Sequence, residues 1–219
     1  MQQNLDLYFI ATRRNRYILF GSENEIELCE AKSGDRIRKS IDWVMTRQNR
    51  VVAWVGRVLN AGHGYYVKLE DRLDPAERVL KAMGSSASLT VYHSTRVDES
   101  TAQSRFRSLL RKQRIKHSFW LSIDSVFTLV VIALTPILAP IPGPNVFFYF
   151  PALRLLSHWA AIRGTASALG SVPIQFKSLP DLSGLEENLQ TESVDRSLIH
   201  NLMERLQIRG LDRFLERMV

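Results

Sequence analysis

The chain has 219 residues, and its 29 lysines and arginines against 22 aspartates and glutamates give a formal net charge of +7. This balance attracts an anionic partner, either nucleic acid or an acidic lipid surface, and the length fits one domain with an appended element. The single cysteine, Cys29, excludes an intramolecular disulfide and a thiolate zinc site, and it is typical of a reducing compartment.

The N-terminal part, residues 1–98, is predicted to be an α+β domain with a small antiparallel or mixed sheet. Residues 5–10 and 16–20 are rich in aromatic and β-branched side chains, and the polar residues 13–15 separate them. This pattern predicts a β-hairpin, and residues 89–92 predict a further strand.

Two amphipathic helices are predicted within this domain. Over residues 35–59, apolar side chains recur at three- and four-residue steps. In the second helix, Asp74 is expected to cap the N-terminus, with Pro75 at the first helical position and Glu77 completing a capping box. Gly84 is expected to end that helix in the left-handed conformation.

A basic juxtamembrane helix is predicted over residues 99–117, directly before an apolar part of the chain. Its basic residues are Arg105, Arg107, Arg111, Lys112, Arg114 and Lys116. Contact with anionic lipid headgroups explains why this run adjoins apolar residues, whereas nucleic-acid binding leaves the adjacency a coincidence. We therefore expect a membrane surface, and not nucleic acid, as the partner.

Residues 118–168 are predicted to form an apolar antiparallel helical hairpin. Its first run, residues 119–139, would reach ~30 Å as a helix, which matches the hydrocarbon core of a membrane. Proline cannot continue a helix, so the chain is expected to reverse at residues 140–145. The residues of this turn are Pro140, Pro142, Gly143, Pro144 and Asn145.

We expect this hairpin to be membrane-embedded; the alternative is a buried hairpin in a soluble helical core. Basic residues flank both open ends of the hairpin. Under the positive-inside rule, both ends and both termini then face the cytoplasm or an equivalent compartment.

Ionisable residues lie at similar depths in the two arms of the hairpin. Asp124 and His158 come at similar distances from the turn, and Arg154 lies one helical turn before His158 on the same face. Together with Ser157 they predict a polar cluster. It is either a set of ordinary boundary residues or a proton-linked site, because histidine titrates near neutral pH.

The C-terminal part, residues 171–219, is predicted to pack back on the N-terminal domain. Residues 172–177 alternate in polarity and contain a proline, which favours an edge strand. Residues 193–206 and 211–218 are predicted to be terminal amphipathic helices.

The common phosphate-binding, dinucleotide-binding, nucleophile-elbow and zinc motifs are absent from the sequence. The five histidines show no i,i+3 or i,i+4 pairing, and each is expected to be structural or exposed. The chain is therefore predicted not to be an enzyme and to bind neither metal nor cofactor.

The motif P-x-P-G-P-N at residues 140–145, followed by R-L-L-S-H-W at residues 154–159 and then Gly164, resembles the mitochondrial K⁺/H⁺ exchange-related family. The sequence DLYFIATRRNRY at residues 6–17 is also similar to the start of such proteins. The resemblance implies a membrane-associated component or regulator of K⁺/H⁺ homeostasis. The membrane is the mitochondrial inner membrane or, because no transit peptide is visible, a bacterial cytoplasmic membrane.

Two apolar segments are too few to line an ion path in a monomer. The resemblance to an exchange-related family then implies a homo-oligomer or a separate carrier subunit, with K⁺ and H⁺ as the ions. The alternative function is a soluble or peripheral interaction module whose apolar hairpin docks on a partner, without transport activity.

Overall fold

The computed structural model describes residues 4–12, 16–29, 75–138, 145–190 and 195–208. Over these residues the chain has the predicted α+β fold, in which a small mixed sheet lies between helices on both of its faces.

Four strands form the sheet within the described part of the chain: β1 (Asn4–Thr12), β2 (Arg16–Gly21), β3 (Ser88–His93) and β4 (Ile174–Ser178). Their order is β2-β1-β3-β4; β1 is antiparallel to β2 and parallel to β3, and β3 is parallel to β4. The predicted hairpin and the two further strands are confirmed, and β4 is an edge strand as expected.

The helical segments of the described residues are α1 (residues 23–29), α2 (Pro75–Met83), α3 (Glu99–Leu138), α4 (Asn145–Gly170), α5 (Pro180–Gln190) and α6 (Arg196–Leu206). The predicted basic helix and the first apolar run lie in one continuous helix, α3, of 40 residues. Helix α5 has no counterpart among the sequence predictions.

Asp98 fixes the start of α3. Its carboxylate accepts hydrogen bonds from the Ser100 hydroxyl and from the Thr101 backbone N–H, the latter at 2.9 Å. These bonds lower the pKa of Asp98 to about 2. They also satisfy a backbone donor that has no partner within the helix.

Alternate side chains of β1 point to two separate cores, one on each face of the sheet. Leu7 lies in a buried core with Leu80 of α2 and Phe106 of α3. Ile10 lies on the opposite face, in a core with Leu182 of α5. The first core fixes α2, α3 and α4 relative to the sheet, and these three helices carry the candidate site.

Helices α2 and α4 approach each other closely at Gly84 and Gly164. A Cβ atom at Gly164 would lie 1.7 Å from the Leu80 carbonyl oxygen, so a larger residue at this position would overlap the α2 backbone. The expected left-handed cap at Gly84 is wrong, because the backbone there is not left-handed. Instead, α2 ends with the Gly84 N–H donating to the Lys81 carbonyl at 3.0 Å.

Helices α3 and α4 form the predicted antiparallel hairpin, since residue 117 contacts residue 158 and residue 124 contacts residue 154. Over the described residues, no helix is both long enough and apolar enough to cross a membrane. The predicted transmembrane placement of residues 118–168 is therefore not supported. Charged side chains interrupt the apolar runs at Asp124 in α3 and at Arg154 and Arg163 in α4.

Three sequence predictions fall outside the described residues. They are the helix over residues 35–59, the Asp74 cap and the terminal helix over residues 211–218. Four residues of the predicted proline turn also lie there: Pro140, Pro142, Gly143 and Pro144. The fifth, Asn145, is the first residue of α4.

Candidate functional site

A largely buried polar cluster, called the buried polar cluster below, lies where α2, α3 and α4 meet. Its members are Glu77, His117, Asp124, Arg154, Ser157 and His158. Helical spacing places the side chains of each helix on one face: His117 and Asp124 are two turns apart in α3, and Arg154 and His158 are one turn apart in α4. Burial of this many ionisable groups is unusual unless they neutralise one another.

Asp124 joins the two arms of the hairpin. Its Oδ2 atom lies 3.2 Å from Arg154 Nε and 3.4 Å from His158 Nε2. Neither Asp124 Oδ2 nor His158 Nε2 makes a hydrogen bond of good geometry with a described residue. Attraction between charges therefore dominates the contact with Arg154, whose guanidinium carbon lies 5.7 Å from the centre of the Trp120 ring.

Two histidines meet directly inside the cluster. His117 Nδ1 and His158 Nδ1 are 2.9 Å apart, and the exposed fractions of the two residues are 4% and 9%. Burial lowers the pKa of both imidazoles, although the Glu77 carboxylate opposes that change at each ring and Asp124 opposes it at His158. Both rings are therefore neutral at neutral pH.

Glu77 closes the cluster from α2. Its carboxylate accepts a hydrogen bond from the Ser157 hydroxyl and lies 3.4 Å from Lys81 Nζ. Burial acts to raise the pKa of Glu77, but Lys81, Ser157 and the two histidines outweigh it, so the pKa is lowered. Glu77 is thus an anion near both imidazoles. Within the described ranges, no three His, Cys, Asp or Glu side chains are placed to share a metal ion.

The structure brings together all four residues of the predicted polar cluster, Asp124, Arg154, Ser157 and His158. Ser157 joins the cluster through its hydrogen bond to Glu77 of α2. Sequence reasoning missed His117 as a member of the cluster, although its position seven residues before Asp124 places both on one helical face. Glu77 carried no such signal, because it comes from a helix distant in sequence.

The six basic residues of α3 are all exposed, but they lie on two sides of the helix. Three of them line one groove: Arg107, Arg111 and Arg114. Arg105 and Lys112 line a second groove beside β2. There the Arg105 guanidinium donates to the Tyr17 hydroxyl and lies over its ring, with Cζ 5.2 Å from the centroid.

The end of the basic run and the part of α3 that follows it present an apolar face to the surface. Its exposed side chains include Ile115, Phe119, Ile123, Val126, Phe127 and Val130. We call this set the apolar face of α3. A contiguous exposed apolar surface commonly marks a site of contact with a membrane or another protein.

Replacing Ser157 with alanine should lower the free energy of unfolding by about 2 kcal/mol, because a hydrogen bond to a partly buried charged group is lost. Loss of that bond should also raise the pKa of Glu77, since the Ser157 hydroxyl stabilises its charged form. Urea unfolding at neutral pH measures the first effect. Ser171→Ala, at an exposed position, is the control, and equal stability of the two variants would contradict the prediction.

A family model described as mitochondrial K⁺-H⁺ exchange-related matches residues 7–170, which is well over half of the chain. The match runs from β1 to the last residue of α4, so it includes every residue of the buried polar cluster. No curated protein and no solved structure matches the chain.

Proposed function

Because the chain belongs to the mitochondrial K⁺-H⁺ exchange-related family, we propose that it is a membrane-associated regulator of K⁺/H⁺ exchange that responds to protons. The observation that carries this proposal is the direct contact between two buried histidines. The regulator acts without enzymatic activity and without forming the ion path itself.

The histidine contact limits where protons can sit. A 2.9 Å approach of two Nδ1 atoms requires one N–H donor and one acceptor. The Asp124 carboxylate beside His158 Nε2 favours a proton on that nitrogen, which leaves His158 Nδ1 as the acceptor. His117 then donates through Nδ1–H, and its Nε2 atom takes the next proton.

One added proton is compatible with this contact, but two are not. A second would occupy His158 Nδ1 and place two N–H groups against each other, between two cationic rings. The contact would break, and the packing of α3 on α4 would loosen at this point. Acidification therefore changes the arrangement of the three helices, which is the kind of two-state response that a regulator of proton-coupled exchange requires.

The proposed membrane contact is the apolar face of α3, with the basic residues of the same helix beside it. Apolar side chains next to basic ones suit the surface of a membrane that contains anionic lipids. We place the chain on the matrix side of the mitochondrial inner membrane, or on the cytoplasmic side in a bacterial relative, with both termini on that side. A carrier subunit, or further copies of this chain, supplies the ion path.

The test is K⁺-driven proton flux in membrane vesicles from cells that lack the chain, measured with a trapped pH dye. Restoring the wild-type chain should change the flux, and the change should depend on pH below about 6.5, because burial lowers the pKa of both histidines from its ordinary value. A variant with both His117→Gln and His158→Gln should lose this pH dependence. His200→Gln, at an exposed position on α6, should behave like wild type.

Two outcomes would overturn the proposal. Flux that is the same with and without the chain would remove its link to exchange. Flux through liposomes that contain only the purified chain would show that it is the carrier and not a regulator. If the apolar face binds a protein instead, the chain should stay off all lipid vesicles and copurify with that partner.

A further inference from the structure

An open groove of about 820 Å³ runs along α3 and reaches Leu169 near the end of α4. Its polar lining consists of Arg107, Arg111, Arg114, Ser118 and Ser122. These residues follow one another at three- and four-residue steps, so they form one side of the helix.

The three arginines of this groove are available to a ligand. Each is exposed, and none makes an ion pair with a carboxylate of the described residues. The guanidinium group is planar and can donate two parallel hydrogen bonds to a phosphate. Three such groups at helical spacing therefore favour a ligand that carries phosphate.

Polarity falls in one direction along this side of α3. The arginines are followed by Ser118 and Ser122, and then by Leu129, which lies five helical turns after Arg111 and is 65% exposed. With a rise of about 1.5 Å per residue, Arg114 and Leu129 are roughly 22 Å apart along the helix. The order of charged, hydroxyl and apolar groups is the order met on passing from the phosphates of a bilayer toward its hydrocarbon.

Apolar side chains also line the groove itself. Ile115 and Phe119 lie among the arginines and are 71% and 62% exposed. An RNA backbone would use the charges but not these two side chains, whereas a phospholipid presents a phosphate and an acyl chain in one molecule. We infer that this groove binds the headgroup phosphate of an acidic phospholipid at a bilayer surface, with Ile115 and Phe119 against its acyl region.

This inference rests on the membrane association proposed above and names the lipid that the chain selects. The full chain is mixed with sedimenting vesicles of phosphatidylcholine alone, or of phosphatidylcholine with phosphatidylglycerol. Wild type should prefer the acidic vesicles, and the preference should weaken with added salt because salt screens the attraction. A variant with Arg111→Gln and Arg114→Gln should bind acidic vesicles about 30-fold more weakly.

The matched control replaces Arg105 and Lys112 with glutamine, which removes the same number of charges from the other side of α3. It should lose only a few-fold in affinity, because the attraction to headgroup phosphate falls off within a Debye length of about 10 Å and these two side chains point away from the groove. Circular dichroism checks that both variants keep the fold. Phe119→Ser should weaken binding to both kinds of vesicle.

Each remaining outcome overturns the inference. If the groove variant and the matched control lost the same affinity for acidic vesicles, the effect would come from net charge and not from the groove. Equal binding of wild type to both kinds of vesicle would remove the selection of acidic lipid while leaving membrane association intact. Binding of wild type to neither kind of vesicle would contradict both the lipid site and the membrane association. If the chain bound single-stranded RNA and Phe119→Ser did not weaken that binding, the arginines would be assigned to nucleic acid.

Discussion

Replacing Gly164 with alanine should lower the free energy of unfolding by about 3 kcal/mol, near the upper end of what overpacking costs. The added Cβ atom would lie 1.7 Å from the Leu80 carbonyl oxygen and 2.9 Å from its carbonyl carbon. Both are backbone atoms of α2, so no side-chain rotation can relieve the overlap. Helix α2 must move away from α4, and the buried core on that face of the sheet is disturbed.

Urea unfolding measures this loss, and Gly184→Ala is the matched control. Gly184 also lies inside a helix, α5, but beyond its chain neighbours and the backbone of that helix no described atom lies within 4 Å of a Cβ placed there. Alanine favours helix, so the control should gain up to about 1 kcal/mol. The movement of α2 should also weaken the contact between Glu77 and Ser157. If Gly164→Ala had the same free energy of unfolding as wild type, α2 and α4 would not approach each other as closely as described.

The arrangement of the hairpin could be predicted from sequence because it depends on local rules. The prolines at residues 140–144 set the reversal point, and counting back from it places Asp124 opposite His158. The strands were predictable for the same reason, since their residues alternate or favour β-structure. Helix α5 was missed although Leu182, Leu185 and Leu189 recur at three- and four-residue steps, because the serine and glycine at residues 183 and 184 are typical of a turn.

Other features depend on contacts between distant segments, which a single sequence does not reveal. Glu77 fits a capping box, and nothing local indicates that it faces Ser157 of another helix. Gly84 carries the usual signature of a helix cap, but its role is close packing against Gly164. The apolar run of α3 suggested a membrane span by its length and its single charge, whereas in the structure its inward face carries Asp124 in contact with Arg154 and its outward face is apolar.

Acidification should destabilise the fold through the histidine pair, beginning at a pH near the ordinary histidine pKa. Burial lowers the pKa of His117 and His158 in the folded state, where Lys81, Lys116 and Arg154 also disfavour added protons. The unfolded chain therefore binds protons first as the pH falls below about 6.5. The part of the free energy of unfolding that comes from this difference is fully present above about pH 6.5 and is lost below it. Its slope is at most about 1.4 kcal/mol per pH unit for each histidine.

The Glu77 carboxylate causes a second loss of fold stability at lower pH. Its pKa is lowered in the folded state, so its contribution is present above the ordinary glutamate value of 4.5 and disappears as the pH falls through the folded pKa.

The two windows can be separated by urea unfolding of wild type and of the His117→Gln, His158→Gln variant between about pH 7.5 and pH 5.5. Wild type should lose more stability than the variant over this range, because only wild type carries the buried imidazoles. Parallel losses, with His200→Gln also matching wild type, would mean that the histidine pair does not couple protons to the packing of α2, α3 and α4.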